Sequence, residues 1–202
     1  MMTRFVLIRH AAVDAGFRLC GTLDVSLSST GRAELDALLR RRPRADSPAA
    51  LFTSPLKRAT EVARQLGRAW GVEAAPADWA REIDCGDLEG MPLEHLKRDF
   101  PELWSRNEAQ AEDTFAWPGG ETYRGFRSRV LTGLEEAAGR YPGGRVVIVT
   151  HAGVVSQVLG VVKGRPPCVW QPDRPRPLTA TEVAWENGAP RAVLSFNDPD
   201  WY

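Results

Sequence analysis

The sequence predicts an α/β fold, a three-layer sandwich in which helices cover both faces of a mostly parallel sheet, with a C-terminal hairpin. Short, continuous apolar runs at 5–8 and 146–149 are typical of strands that are buried on both faces. Between these runs apolar residues recur at helical spacing, so strand and helix signals alternate. The 202 residues are 43% hydrophobic and 26% charged, an ordinary globular composition, and we expect a single domain over residues 1–202.

The first half of the chain contributes two predicted strands and a helix. Residues 5–8 form the first strand, and residues 51–53 are a weaker candidate for the second. In the helix that follows, Ser54 is the predicted N-cap and Pro55 the first residue. This assignment places Arg58 in or near the first helical turn.

The second half begins with a segment that we interpret as an insertion, at about 84–121, and expect to act as a lid or as a wall of a substrate site. It contains one helical stretch near 93–104 and an acidic, turn-rich end. A second amphipathic helix near 126–137 precedes the strand at 146–149. Two strand patterns separated by Asn187-Gly188 predict the terminal hairpin.

Charge and cysteine content exclude several classes of function. Lys plus Arg and Asp plus Glu both total 26, so no overall basic field is present to hold nucleic acid or an anionic membrane surface. No stretch approaches the roughly 18 apolar residues of a membrane span, and the N-terminal apolar run is too short for a signal peptide. The three widely spaced cysteines predict reduced thiols in a cytoplasmic protein. The oligomeric state stays open, and a homodimer is compatible with the sequence.

Two of the three histidines, His10 and His151, occupy the same kind of position, directly after an apolar strand and before small residues. The carboxyl ends of neighbouring parallel strands lie together where such folds bind ligands, so we expect the two rings to lie side by side. A single histidine there is more often an ordinary polar residue at the sheet rim. The pair, together with Arg9, is what indicates a site.

Two chemistries fit this pattern. The histidines could bind a metal ion with Asp24, Glu82 or Asp84. The cation of Arg9 beside His10 disfavours this interpretation, because it would repel a divalent metal. A guanidinium group instead pairs with phosphate oxygens, and a neutral imidazole can attack phosphorus to form a phosphohistidine.

The phosphate interpretation needs two further groups. Arg58, at the start of a helix, is the candidate for a second arginine that binds the phosphate. A carboxyl group must also supply a proton to the leaving oxygen, and Glu82 is the preferred candidate. Spacing alone does not separate Glu82 from Asp84, Asp87 and Glu89.

These residues resemble the histidine phosphatase superfamily, which includes the cofactor-dependent phosphoglycerate mutases and the α-ribazole phosphatases. The resemblance rests on blocks that follow the family order and span residues 4 to about 160: Leu7-Ile8-Arg9-His10, Gly21-Thr22-Leu23-Asp24, Ser54-Pro55-Leu56-Lys57-Arg58, Glu82-Ile83-Asp84-Cys85-Gly86, Pro118-Gly119-Gly120-Glu121 and Thr150-His151-Ala152-Gly153. Each block alone is weak evidence, whereas the ordered set is specific. It implies a phosphoglycerate mutase-like fold.

The resemblance also implies a role for each matching residue. His10 is the implied nucleophile that becomes phosphorylated, and Arg9, Arg58 and His151 are implied to hold the phosphoryl group. Glu82 matches the proton donor to the leaving group. Neither a metal nor another cofactor is implied, because two guanidinium groups and imidazole donors supply the charge stabilisation that a magnesium ion gives elsewhere.

The chain departs from the family pattern just after the first histidine. The family usually has a glycine there, then a Glu-Thr or Glu-Ser pair, and often an asparagine six positions past the histidine. Here those places hold Ala11, Ala12, Val13 and Gly16.

Three residues are candidates for contacts with the substrate. Thr22 or Thr122 could supply the hydroxyl group that the family motif places near the histidine. Trp117 could pack against an aromatic part of the substrate.

The sequence therefore predicts a phosphomonoesterase that hydrolyses a small phosphorylated metabolite through a covalent phosphohistidine, with α-ribazole 5′-phosphate as one candidate substrate. One alternative is phosphoryl transfer between two hydroxyl groups, as in the phosphoglycerate mutases, although those enzymes have a larger insertion than 202 residues allow. The second alternative is a non-catalytic module that recognises phosphate.

Overall fold

The computed structural model describes residues 1–41 and 47–202. The strands are β1 (Thr3–Arg9), β2 (Ala50–Thr53), β3 (Ala74–Pro76), β4 (Arg145–Thr150), β5 (Ala180–Glu186) and β6 (Ala189–Asp198). The α-helices of the described residues are α1 (Ser29–Leu39), α2 (Lys57–Trp70), α3 (Leu93–Asp99), α4 (Pro101–Ala109), α5 (Tyr123–Arg140) and α6 (Ala152–Val162). The strands form one sheet in the order β3-β2-β4-β1-β5-β6.

The sheet is mostly parallel, as the sequence predicts. The pairings of β1 with β4, β4 with β2 and β2 with β3 are parallel, whereas β5 is antiparallel to both of its neighbours. The predicted hairpin is confirmed. Its turn residues Asn187 and Gly188 have φ angles of 51° and 72°, the positive values that a two-residue turn matching the strand twist requires.

Both faces of the central strands are buried, which confirms the three-layer sandwich. Along β1, Phe5 and Leu7 join one apolar cluster while Val6 and Ile8 join the other, because successive side chains point to opposite faces. Helices α5 and α6 cover the first face, and α1 and α2 cover the second.

The start of α2 differs from the prediction. Ser54 is not the N-cap, because the helix begins at Lys57 after Leu56, which makes no side-chain cap. The Ser54 hydroxyl instead accepts a hydrogen bond from the Leu56 backbone N–H at 3.3 Å and contacts a ring nitrogen of His151 at 2.7 Å. Arg58 lies in the first turn of α2, as predicted.

The segment from 84 to 121 contains two helices where the sequence predicts one. Helix α3 ends at Asp99 and α4 begins at Pro101. Proline has no N–H with which to continue the hydrogen bonds of α3, whereas the first position of a helix tolerates it. A third apolar cluster, which includes Phe115 and Trp117, packs this segment. Its function as a lid stays a prediction.

Within the described residues, none of the helices combines the length and the apolar character that crossing a bilayer demands.

Candidate active site

His10 and His151 lie together at the carboxyl end of the sheet. Strands β1 and β4 are parallel neighbours with Arg9 opposite Thr150, so both strands end side by side, each directly before a histidine. The backbone N–H of His10 donates to the Thr150 carbonyl at 2.9 Å. The centroids of the two imidazole rings are 5.1 Å apart, and both side chains are buried.

The hydrogen bond of His10 determines which ring nitrogen carries the proton. Nδ1 lies 2.7 Å from the Ala11 carbonyl oxygen, and because a carbonyl only accepts, Nδ1 holds the proton. Nε2 keeps its lone pair. Burial is the main cause that lowers the pKa of His10 to about 3, and Arg58 and Arg9 lower it further. The ring is therefore neutral at neutral pH, as a nucleophile must be.

The low pKa of His10 predicts a loss of stability in acid. The unfolded chain protonates this histidine near pH 6.5, the folded protein only near pH 3. Between these values the unfolded state binds more protons, so the free energy of unfolding falls as the pH falls. We expect the protonation of His10 alone to lower the free energy of unfolding by about 2 kcal/mol between pH 8 and pH 5.

Urea unfolding at these two pH values measures this loss. His10→Gln has no group that titrates here, so its stability should fall by about 2 kcal/mol less than that of the wild type. His95→Gln, at a position whose side chain is 45% exposed, should behave as the wild type does. An equal loss in wild type and His10→Gln contradicts the prediction.

Arg58 reaches the same cluster from α2 and is almost completely buried. Its guanidinium group uses three of its five N–H groups inside the protein. Nε donates to Nδ1 of His151 at 3.2 Å, Nη1 to the Leu23 carbonyl at 2.6 Å and Nη2 to the Gly21 carbonyl at 2.7 Å. The two N–H groups that remain are available to an anion.

Both ring nitrogens of His151 have partners inside the protein. Because Arg58 only donates, Nδ1 of His151 accepts, so Nε2 carries the proton and donates to the Ser54 hydroxyl at 2.7 Å. Burial lowers the pKa of His151 well below its ordinary value, and His10 and Arg58 act in the same direction. For His151 to bind a phosphoryl oxygen, its hydrogen bond to Arg58 or to Ser54 would have to break. To hold Arg58 in position, His151 keeps both hydrogen bonds.

Arg9 carries an unsatisfied donor in this cluster. Its Nη1 donates to the Pro175 carbonyl at 2.7 Å, while its Nε is buried without a hydrogen-bond partner in the described structure. Burial lowers the pKa of Arg9, and the nearby Arg174 adds to this effect. An anion bound beside Arg9 would recover the free energy that a buried, unpaired donor costs.

The carboxyl group of Glu82 is held by two backbone N–H groups. Oε2 accepts from Gly153 at 3.0 Å, and Oε1 accepts from Ile83 at 3.1 Å. Gly153 lies in the first turn of α6, where the helix dipole favours a negative charge. Arg129 supports the same loop, because it donates to the Glu82 carbonyl at 3.4 Å and forms a two-fold ion pair with Glu121.

Substituting Gly153 with alanine should displace the Glu82 carboxyl group. A Cβ atom at this position would lie only 2.1 Å from Oε1 of Glu82. We expect kcat to fall by about 10²-fold, the lower end of the effect of general acid–base catalysis. The helix itself should tolerate alanine, which favours helix more than glycine does.

Hydrolysis of phenyl phosphate, with a thermal melt of each variant, measures this effect. Gly139→Ala is the matched control, because it lies in α5 and its Cβ would meet nothing within 4 Å. Equal kcat values for the two variants would show that the position of Glu82 does not matter.

Glu89, one of the alternatives to Glu82 as proton donor, has a different position. Its carboxylate accepts hydrogen bonds from the backbone N–H groups of Gly21, Thr22, Leu23 and Cys85 at 2.5–3.1 Å. It thereby orders the loop whose carbonyl groups hold Arg58. The sequence contains no signal for this role, because spacing does not distinguish a loop anchor from a proton donor.

One cavity of about 650 Å³ is lined by Arg9, His10, Arg58 and Glu82. Trp117, which the sequence predicts to contact the substrate, lines the same cavity. Val13 and Gly16, which replace polar residues of the family pattern, do so as well.

The two predicted threonines are not among the residues that line this cavity. The Thr22 hydroxyl donates to Oε1 of Glu89 at 3.0 Å. The Thr122 hydroxyl accepts from the Gly125 N–H at 3.0 Å, as the N-cap of α5. Both hydroxyl groups therefore stabilise local structure, and contact of either threonine with the substrate stays a prediction.

A metal site is the other chemistry that the two histidines suggest. Of their four ring nitrogens, Nδ1 of His10 and both nitrogens of His151 are hydrogen-bonded inside the protein. Over residues 1–41 and 47–202, no group of three or more His, Cys, Asp or Glu side chains is arranged to hold a metal ion.

Comparisons with known proteins identify what this chain is similar to. The family model described as "Histidine phosphatase superfamily (branch 1)" matches residues 5–198. Phosphoserine phosphatase 1 of Hydrogenobacter thermophilus is 30% identical over 152 residues, which are 74% of this chain and 71% of that protein. A glucosyl-3-phosphoglycerate phosphatase of Mycobacterium tuberculosis is 28% identical over 180 residues, 83% of this chain and 78% of that protein. The solved structure of Bacillus stearothermophilus YhfR has a TM-score of 0.86, covers 97% of each chain and is 26% identical.

Proposed function

The chain belongs to the histidine phosphatase superfamily and is a phosphoric monoester hydrolase, and from this premise we propose that it hydrolyses a small phosphorylated metabolite through a covalent phosphohistidine at His10. One observation carries the proposal. Nε2 of His10 has a free lone pair on a neutral ring, because Nδ1 donates to the Ala11 carbonyl. No metal or other cofactor takes part in the steps that follow.

In the first step the Nε2 lone pair of His10 attacks phosphorus, and the bond from phosphorus to the leaving oxygen breaks. The electron pair stays on that oxygen, which takes a proton from the protonated form of the Glu82 carboxyl group, and the backbone N–H groups of Ile83 and Gly153 stabilise the carboxylate that this transfer leaves. The two unused N–H groups of Arg58 and the unpaired Nε–H of Arg9 bind the phosphoryl oxygens as the transition state forms. His151 contributes to phosphoryl binding by holding Arg58 in position through its Nδ1.

In the second step a water molecule attacks phosphorus and gives its proton to the Glu82 carboxylate. The bond between phosphorus and Nε2 breaks, and its electron pair returns to His10. The products are inorganic phosphate and the free alcohol, and both His10 and Glu82 recover their starting states.

Hydrolysis in ¹⁸O-labelled water, with EDTA present, tests this function. We expect inorganic phosphate that carries one labelled oxygen from the attacking water, and acid-labile phosphate on His10 in quenched reactions. Transfer of the phosphoryl group to a second hydroxyl group without release of phosphate would make the protein a mutase. Binding of phosphate esters without any turnover would make it a recognition module.

The physiological substrate is a separate part of the proposal. The relatives are named for phosphoserine and for glucosyl-3-phosphoglycerate, and α-ribazole 5′-phosphate remains a candidate from the family resemblance. A panel of these three esters, 3-phosphoglycerate and a phosphopeptide ranks them by kcat/KM.

We also propose that the enzyme acts in the cytoplasm on this small-molecule substrate, which its three free thiols support. A homodimer is compatible with the sequence, and light scattering measures the oligomeric state.

A further inference from the structure

The cavity is much larger than a phosphoryl group. Its volume of about 650 Å³ is in the range of sites that enclose a whole small molecule. Part of its lining comes from residues with no role in the phosphoryl chemistry: Trp104, Asn107, Glu108, Tyr123 and Trp170. This wall is one part of the cavity that is available to contact the leaving group.

Three residues of the wall form a chain of hydrogen bonds. Nε1 of Trp170 donates to the Tyr123 hydroxyl at 3.1 Å, and the Tyr123 hydroxyl donates to Oδ1 of Asn107 at 2.5 Å. An indole N–H only donates, so Tyr123 accepts from Trp170 and uses its own proton on Asn107. Burial raises the pKa of Tyr123, so the hydroxyl keeps that proton.

This chain of hydrogen bonds determines how the Asn107 amide group is turned. If the amide were reversed, its NH₂ group would donate to the tyrosine oxygen, and the tyrosine proton would lose its acceptor. Oδ1 therefore faces Tyr123. The NH₂ group has no hydrogen-bond partner among the described residues, and Asn107 lines the cavity. Its donors are free for a ligand.

Glu108 adds an acceptor to the same cavity. It follows Asn107 in α4, is exposed and lines the same cavity. A hydroxyl group both donates and accepts, so a cavity that offers an amide donor and a carboxylate acceptor suits a leaving group with hydroxyl groups.

We propose that Asn107 determines specificity, and that it selects phosphomonoesters whose leaving group carries hydroxyl groups, such as phosphorylated polyols and sugars. The inference rests on the proposed phosphatase activity and names the substrate class of that site. Asn107 binds the leaving group and takes no part in the transfer of the phosphoryl group.

The test compares kcat/KM for two sugar phosphates, ribose 5-phosphate and glucose 6-phosphate, with kcat/KM for phenyl phosphate, which has no hydroxyl group on its ring. The wild type should prefer a sugar phosphate. Asn107→Asp exchanges the donor for an acceptor at the same size and leaves the Tyr123 hydroxyl its partner. The ratio of kcat/KM for sugar phosphate over phenyl phosphate should fall about tenfold or more.

Two further variants separate orientation from general damage. Tyr123→Phe removes the hydroxyl group that orients the Asn107 amide, so the same ratio should fall in the same direction. Asn187→Asp makes the identical change in the exposed turn between β5 and β6, and the ratio should keep its wild-type value.

The outcomes distinguish this inference from the proposed function. An unchanged ratio in Asn107→Asp, while phenyl phosphate is still hydrolysed, overturns the inference and leaves the phosphatase intact. A wild-type preference for O-phosphoserine over both sugar phosphates overturns it too. If the wild type releases phosphate from none of these esters, the proposed function itself is wrong.

Discussion

Alanine at position 10 is expected to abolish turnover. The variant has no imidazole to attack phosphorus, and no second free histidine nitrogen lies in the cluster, because both nitrogens of His151 are engaged with Arg58 and Ser54. Loss of a nucleophile that acts with its neighbours as a unit lowers kcat by about 10⁴-fold or more. Release of phosphate from phenyl phosphate under saturating conditions measures the loss.

A second measurement makes the result specific to the covalent step. Rapid-quench labelling should detect acid-labile phosphate on the wild type and none on His10→Ala. His95→Ala is the matched control, since this third histidine lies in α3 and does not line the cavity, and it should keep wild-type turnover. Near-normal hydrolysis by His10→Ala would show that another group attacks phosphorus.

Arg58→Ala is expected to lower kcat by about 10²- to 10³-fold, the usual effect of removing one donor that stabilises an oxyanion. The substitution removes the two N–H groups left for the phosphoryl oxygens. It also removes the partner of Nδ1 of His151 and the anchor of the loop at Gly21 and Leu23. Steady-state kinetics on phenyl phosphate measure the effect.

Two companion variants show whether charge alone is enough. Arg58→Lys keeps the positive charge. One ammonium group cannot replace the three hydrogen bonds of Arg58 to His151, Leu23 and Gly21. We therefore expect kcat to stay well below that of the wild type. Arg64→Ala, at an exposed position six residues later in α2, should retain full activity. Thermal melts separate lost function from lost fold. A kcat of Arg58→Ala within a few fold of the wild type argues against phosphoryl binding by this residue.

Much of the fold could be predicted because its signals are local. The apolar runs before His10 and His151 are strands buried on both faces, and the spacing of apolar residues before Trp70 is that of a helix. The start of α2 could not be predicted. Ser54 is a good N-cap by residue type, but its hydroxyl group is used by a histidine 97 positions away.

The choice of the carboxyl group that donates the proton also depends partly on the sequence and partly on the tertiary structure. Spacing did not separate Glu82, the preferred candidate, from Asp84, Asp87 and Glu89, and the family resemblance then selected Glu82. The structure gives each a different environment: Glu82 lines the cavity beside Gly153, Asp84 accepts from the Gly86 N–H at 2.8 Å, and Glu89 holds the loop of Gly21. The packing of the loops decides which carboxyl group faces the cavity. The residue type alone does not predict this packing.

The sequence by itself determined the α/β architecture and the placement of a histidine after each of two strands, because both depend on periodicity and on the parallel order of strands. Only the tertiary structure decided which nitrogen of His10 is free, what anchors Arg58 and how the Asn107 amide is turned. These features depend on hydrogen bonds with a preferred direction, such as the one from Arg58 to His151, whose partners are 93 positions apart in the chain. Such bonds exist only after the layers of the fold have packed, so no local pattern in the sequence specifies them.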